Sequence, residues 1–335
     1  MLFRSKGFNV KVGGGLGMKP YLAQQLNIFV TPDRVADVAE VVCRIYRDYG
    51  YRRSRSKARL KFLVKDWGVE KFEDKVREYM PDLQTKGRDR TKGWNNGNAL
   101  GIHRQLQKDY YYVGVSVPSG RITADDFKAL VDVAREYGRD EIRFDHCQNM
   151  IIPWIPADRI KEVEALPIFE RFSLHPHLIA DYGNTCTGAE YCNLANTLTK
   201  SIFKPLVEEL DNRFSFDSPL NVTMTGCGNN CAHRSIADIG IEGVHARTPD
   251  RQHVPGFKLS VGGSLVNGGH FNEQLKGTFS QQQLADSISS LLADYRDNHE
   301  GSETFYEYYT RKGTDHFQEV LNNYTATLPA TEVLK

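Results

Sequence analysis

Four of the six cysteines stand in two pairs, Cys186-Thr-Gly-Ala-Glu-Tyr-Cys192 and Cys227-Gly-Asn-Asn-Cys231. The spacing is C-x5-C, then 34 residues, then C-x3-C. Thiolates in sets of four hold iron–sulfur clusters. They also hold structural zinc, but zinc pairs usually stand closer together than C-x5-C. Either pair alone reads as two small buried side chains. The surroundings favour a cluster. Gly188, Gly226 and Gly228 let the backbone pass close to a bulky inorganic core, and Asn184, Asn193, Asn229 and Asn230 offer amide donors near sulfur. Cys43, on the apolar face of a helix, and Cys147, in a strand, read instead as small buried hydrophobes.

Other chemistry-bearing residues are less sharply patterned. Arg52, Arg53, Arg55, Lys57, Arg59 and Lys61 form a basic run. Basic groups bind cofactor carboxylates, which makes Lys57 and Arg59 candidates, although a solvated helix face is the plainer reading. His103, His175, His177 and His233 have the chemistry of ligands or acids, against the commoner role of a hydrogen-bonded structural histidine. Gly13-Gly14-Gly15 lacks the G-x-G-x-x-G order of a nucleotide loop and reads as a tight turn.

The elements that must position these residues show an internal repeat. GFNVKVGGGL at residues 7–16 returns as GFKLSVGGSL at 256–265. The same offset pairs Val35-Ala36-Asp37 with Leu284-Ala285-Asp286, and Tyr46-Arg47-Asp48 with Tyr295-Arg296-Asp297. After a loss of four residues, Gly68 and Phe72 align with Gly313 and Phe317. Each copy is expected to run strand, Gly-rich turn, long helix. Phe8, Val10 and Val12 alternate as a half-buried strand does. Thr31 is the expected N-cap, with Pro32 at the first helical position and Val35, Val38, Val41, Val42 and Ile45 on the apolar face. In the second copy 155 residues, Gly101 to Pro255, precede the GF strand, whereas six precede Gly7. The expectation is that the front of the first copy is missing from this chain.

Between the copies lies a compact β-α-β stretch. Tyr111, Val113, Val115 and Val117 alternate as a strand that ends in the turn Pro118-Ser119-Gly120. Thr123 caps a helix closed near Gly138, and short strands are expected from Glu141 to Asp145 and from Met150 to Trp154. The order suggests a ferredoxin-like unit. Residues 81–98 are polar and Gly-rich, a linker.

Composition bounds the class. A chain of 335 residues suggests about two domains, and 40% hydrophobic residues suffice for a packed core. Lys plus Arg number 43 against 42 Asp plus Glu, which removes the electrostatic case for a general nucleic-acid binder. No stretch approaches the ~20 apolar residues of a membrane span. The start MLFRSKGFNVKVGGG has no apolar signal region, so six cysteines read as cytoplasmic thiols rather than a disulfide scaffold.

GFNVKVGGGLG, SKARLKFLVKDWGVEKF, GIHRQLQKDYYYVGVSVPSGRI, RFDHCQNMII, NTCTGAEYCNLA and TGCGNNCAHRSIADIG together resemble the sirohaem-dependent nitrite and sulfite reductases, over nearly the whole chain and in the right order. The resemblance implies an α+β fold, a ferredoxin-like α/β unit plus a duplicated sirohaem and [4Fe–4S]-binding α+β domain. Its expected parts are 1–80 (tail of the first repeat), 81–98 (linker), 99–166 (ferredoxin-like) and 167–335 (second repeat). It implies a [4Fe–4S] cluster on Cys186, Cys192, Cys227 and Cys231, with Cys231 also axial to the sirohaem iron. Gln148 and Asn149 resemble the family's Q-N pair beside the macrocycle, and a small ferredoxin-type protein is the implied electron donor.

The implied reaction is six-electron reduction of nitrite to ammonia, towards which CTGAEYC and ADIG lean. Sulfite reduction to sulfide is the alternative with the same cofactors. A non-catalytic cluster-binding protein or inactive fragment is the alternative of another class. Two departures stand out. Gly228 replaces the Pro usual after the third cysteine. The family's basic residues that face the anion lie ahead of the GFN strand, so they are expected upstream of Met1 and no catalytic residue is assigned within this sequence. The cytoplasm is the expected location, or the plastid stroma in a plant or alga.

Overall fold

The computed structural model describes residues 6–88 and 99–334. Residues 89–98 of the expected linker lie outside the described residues. Contacts divide the described residues into two units, 6–88 with 266–268, and the remainder.

In the first unit, strand β1 (Phe8–Val12) pairs antiparallel with β2 (Gln24–Val30). The strand β2 is not among the expected elements, yet its buried Leu26, Ile28 and Val30 alternate strictly. Helix α1 (Val35–Tyr49) begins later than the Thr31 cap predicts. Pro32–Arg34 forms a 3-10 turn first, and Thr31 makes no side-chain bond to the backbone there. Val38, Val41 and Ile45 face the core, with Leu63 and Val64 of α2 (Leu60–Trp67) and Phe72 and Val76 of α3 (Val69–Tyr79).

Cys43 corrects the expectation of a buried thiol. It stands two residues from both Val41 and Ile45, about 200° around a helix that turns 100° per residue, and is exposed. The basic run divides as well. Arg52, Arg53, Arg55, Lys57 and Arg59 are exposed. Lys61 is buried and its ammonium donates to the carbonyls of Leu16 (2.7 Å), Lys19 (2.7 Å) and Gly15 (3.4 Å). A lysine therefore pins the Gly-rich turn, where Gly13 at φ +75° lies so close to Val64 that a Cβ would stand 2.9 Å from its side chain.

The second unit contains two sheets. The first is antiparallel, β3 (Gly101–Arg104), β4 (Tyr110–Val115), β5 (Arg143–Phe144) and β6 (Met150–Pro156) in the order β3-β4-β6-β5. Helix α4 (Ala124–Tyr137) packs on it, capped by Thr123, whose hydroxyl accepts the Asp126 N–H at 3.2 Å. Short helices α5 (Ile160–Glu164) and α6 (Ile168–Arg171) complete its core with Val163 and Phe169. Cys147 lies in the turn between β5 and β6 rather than in a strand, and burial, with the Asp145 charge, pushes its thiol up to about 11.

The second sheet is mixed, ordered β11-β10-β9-β8-β7. Strands β7 (Asn184–Thr185), β8 (Val222–Thr225) and β9 (Ile239–Arg247) run parallel. The strands β10 (His253–Val261) and β11 (Glu273–Gln274) continue it antiparallel. Helix α7 (Lys200–Arg213) is the crossover from β7 to β8. Helices α8 (Leu284–Asn298), α9 (Phe305–Lys312) and α10 (Thr314–Ala326) share its core with Met224, Phe257, Leu291 and Phe317. The repeat is visible in the structure: α1 and α8 both contain 15 residues, and their first residues, Val35 and Leu284, are a pair that the repeat offset aligns. Among the described residues no helix is long and apolar enough to cross a membrane.

Candidate functional site

Both cysteine pairs leave the carboxyl ends of neighbouring parallel strands. Cys186 directly follows β7 and Cys227 lies two residues beyond β8. Thr185 is in register with Met224, and the Cys186 N–H continues that ladder to the Met224 carbonyl at 3.2 Å. One ladder therefore brings together cysteines that the sequence separates by α7. In open sheets with parallel strands this carboxyl edge is where ligands bind.

The loops are fixed by backbone bonds. The Cys192 N–H donates to Gly188 O (3.0 Å), Ala189 N–H to Thr197 O (2.9 Å) and Asn196 N–H to Gly226 O (2.7 Å). The Thr199 hydroxyl holds the Cys186 carbonyl at 2.6 Å. Gly188, at φ +70°, is required here: a Cβ would sit 2.4 Å from the Thr199 hydroxyl oxygen. In the second loop, Asn230 at φ +61° bridges its own turn, donating to Ser235 Oγ at 2.6 Å and accepting the Ser235 N–H at 3.1 Å.

These bonds reassign two of the four expected amide donors. Asn230 gives its amide to Ser235, and Asn184 gives its own to the His146 carbonyl at 3.2 Å. The sulfur contact comes from backbone instead, the Gly226 N–H donating to Cys186 Sγ at 3.2 Å.

The four thiols are within electrostatic reach of one another. Burial raises the Cys231 thiol first, and the charges of Cys186, Cys227 and Cys192 raise it further. Among the described residues, no three such side chains converge tightly enough to ligate a single ion. Four thiols on two neighbouring loops are the donor number that a [4Fe–4S] cluster takes. The donor set and the backbone bond to sulfur fit a [4Fe–4S] group, whereas Gly188 and Gly226 make room for the Ala195–Thr199 loop.

Charged residues not anticipated from sequence flank the cysteines. Lys200, the first residue of α7, donates to the Ser119 carbonyl and to Gln148 Oε1 (3.2 Å). Burial lowers its ammonium, helped by Arg121, while Cys186 and Glu190 oppose. Arg121 is paired with Glu190. On the other side Arg234, in a 3-10 turn three residues after Cys231, pairs with Glu242 of β9 at 2.6 Å. Burial lowers its guanidinium, opposed by Glu242 and Cys227. Only the motif AHRSIADIG hinted at Arg234, and nothing in the sequence marked Lys200.

The remaining candidates separate. Gln148, at φ +70°, donates to the Thr185 carbonyl at 2.8 Å and so braces the residue before Cys186. Asn149 is 3% exposed and its side-chain oxygen accepts the Val117 N–H at 3.0 Å. Lys57 and Arg59 belong to the first unit, and Arg59 donates to the neighbouring Ala58 carbonyl. His103 bonds the Leu100 carbonyl at 2.7 Å and stacks on Tyr112, a structural role. His175 is a surface residue beside Glu164. The His177 N–H is bonded by Asp181. His233 stacks on His146 at 6.2 Å.

Sequence comparison matches residues 4–83 and 183–327 to the family described as nitrite and sulphite reductase 4Fe-4S domain. Residues 103–168 match the nitrite/sulfite reductase ferredoxin-like half domain. The chain is 34% identical over 310 residues to Sulfite reductase [ferredoxin] 1 of Mycolicibacterium paratuberculosis, covering 89% of this chain and 55% of that protein. It is 32% identical over 290 residues to Ferredoxin--nitrite reductase of Synechococcus elongatus, covering 86% and 56%. The solved structure of Mycobacterium tuberculosis NirA protein superposes with a TM-score of 0.87 at 30% identity, over 94% of this chain and 59% of that one. The chain thus spans little more than half the length of the relatives it matches.

Proposed function

The chain belongs to the nitrite and sulphite reductase family, and from that membership we propose that it forms the cluster-bearing part of a ferredoxin-dependent reductase that takes nitrite to ammonia. The observation that supports this reading is the β7–β8 pairing, since the chain runs from the ends of these neighbouring strands directly to Cys186 and, two residues on, to Cys227. Held there, a [4Fe–4S] cluster supplies electrons one at a time and sirohaem supplies the iron that binds the oxyanion.

The chain's own residues do the rest. Four thiolates grip the cluster, and the Gly226 N–H neutralises part of the charge on Cys186. Gln148 ties Thr185 to Lys200 and keeps the first cysteine in place. Cys231, exposed where the other three thiols are partly covered, is the thiolate available to a second metal centre. Gln148, Asn149, Lys57 and Arg59 remain the proposed contacts to sirohaem.

A second reading, sulfite to sulfide, is favoured by the mycobacterial relative, whose name is that of a ferredoxin sulfite reductase. Anaerobic reconstitution of the chain tests the cluster: about four iron and four sulfide per chain are expected. One zinc and no sulfide defeats the proposal. With sirohaem supplied, absorption titrations with nitrite and with sulfite separate the substrates, the tighter anion being the one served.

A further inference from the structure

Arg234 is fastened on two sides and open on a third. One terminal nitrogen meets Glu242 Oε2 at 2.6 Å and the other donates weakly to Ser260 Oγ at 3.4 Å. Its own carbonyl accepts the Asn272 amide at 2.6 Å, which fixes the turn that carries it. The backbone of Gly240 makes room for it, since a Cβ there would stand 2.7 Å from Arg234 Cγ. Glu242 is in register with Thr225 at the end of β8, two residues before Cys227. The guanidinium accordingly sits close enough to Cys227 for the two charges to act on each other.

Its Nε–H is the exception. It is buried and has no hydrogen-bond partner among the described residues, and the side chain as a whole is only 12% exposed. A buried guanidinium N–H left without an acceptor is costly, so the fold retains it for an acceptor that arrives later.

We infer that Arg234 is a potential-setting residue whose Nε–H donates to the cluster edge or to Cys227 sulfur, making the bound cluster easier to reduce. The inference rests on the cluster reading above. Reduction adds one electron to an already anionic cluster, so a nearby cation and an N–H donor favour the reduced form. Glu242 works in the opposite sense: it holds Arg234 in place and cancels part of its charge.

Two substitutions of opposite sign test this. Arg234→Gln removes the cation, and Glu242→Gln leaves the cation uncompensated. Each variant and the parent are reconstituted, their iron and sulfide are measured, and the cluster is titrated potentiometrically by electron paramagnetic resonance. At the parent's midpoint the ratio of reduced to oxidised cluster should fall about tenfold in Arg234→Gln. It should rise in Glu242→Gln, and Arg234→Lys should restore most of the loss. A role confined to structure predicts no opposite shifts. Parental iron and sulfide with an unmoved ratio in both variants overturns the inference and leaves the cluster standing. If Arg234→Gln does not load, Glu242→Gln decides alone, and an unmoved ratio there overturns it. A parent chain that takes up no iron and sulfide overturns the cluster reading and this inference together.

Discussion

Gly68 and Gly313 share one backbone conformation, φ +80° with ψ 159° and φ +79° with ψ 165°. Each separates the second and third helices of its copy, and each is followed four residues later by a fully buried phenylalanine, Phe72 and Phe317. That region of conformational space is essentially closed to residues with a Cβ. Gly313→Ala is the cleaner probe, because nothing lies within 4 Å of the new methyl and only the backbone is strained. It should cost about 1–3 kcal/mol in urea unfolding, and Gly68→Ala about the same. Unchanged midpoints in both would mean the glycines are incidental.

Lys61 gives the second prediction. Its ammonium satisfies carbonyls of Gly15, Leu16 and Lys19, so Lys61→Met removes the donor and leaves buried acceptors. Stability should drop by about 2–3 kcal/mol. The exposed neighbour Lys57, changed to Met, should stay within about 0.5 kcal/mol of the parent. Equal effects at the two positions would contradict the pinning role.

A third concerns pH. The carboxyl of Asp238 is enclosed although part of the residue remains accessible. Burial pushes it from 3.8 up to about 7, against the Asn221 N–H that bonds it at 2.9 Å. Tyr295 is its titratable neighbour. Because the folded form binds its proton more tightly, this contribution to stability is complete below about pH 4 and is lost as pH rises through 7. Asp238→Asn should remove that slope and gain up to about 4 kcal/mol relative to the parent at pH 8. Parallel stability curves from pH 4 to 8 for the two proteins would refute it.

The cysteines supply the fourth. Cys231→Ser should lower bound iron and sulfide. Cys43→Ser, on the exposed face of α1, should change neither. Identical iron content and identical spectra in both variants would remove Cys231 from the site.

What the sequence disclosed and what it withheld divide along physical lines. The repeat offset located α8 from α1, because amphipathic helices and glycines with forced conformations are written locally. The cysteine spacing likewise pointed to the four-thiolate site proposed above. The strand β7 has two residues, Asn184 and Thr185, and no periodicity; it exists because β8 offers it a partner. Lys61 and Arg234 look like surface cations in the chain, and only carbonyls some forty residues away, or a glutamate on β9, turn them inward. Cys43 failed by phase: the helix was right and its angular position was two residues off the stripe.

The crossover through α7 has a consequence for how the protein is assembled in a cell. Parallel strands cannot be joined by a hairpin, so β7 and β8 meet only after the intervening chain has folded, and such non-local pairing is slow. Before that moment the two thiol pairs are distant on a flexible polymer and present no vessel for iron. A cluster held by both thiol pairs would therefore need the β7–β8 pairing to be in place, and once bound it would cross-link those two strands.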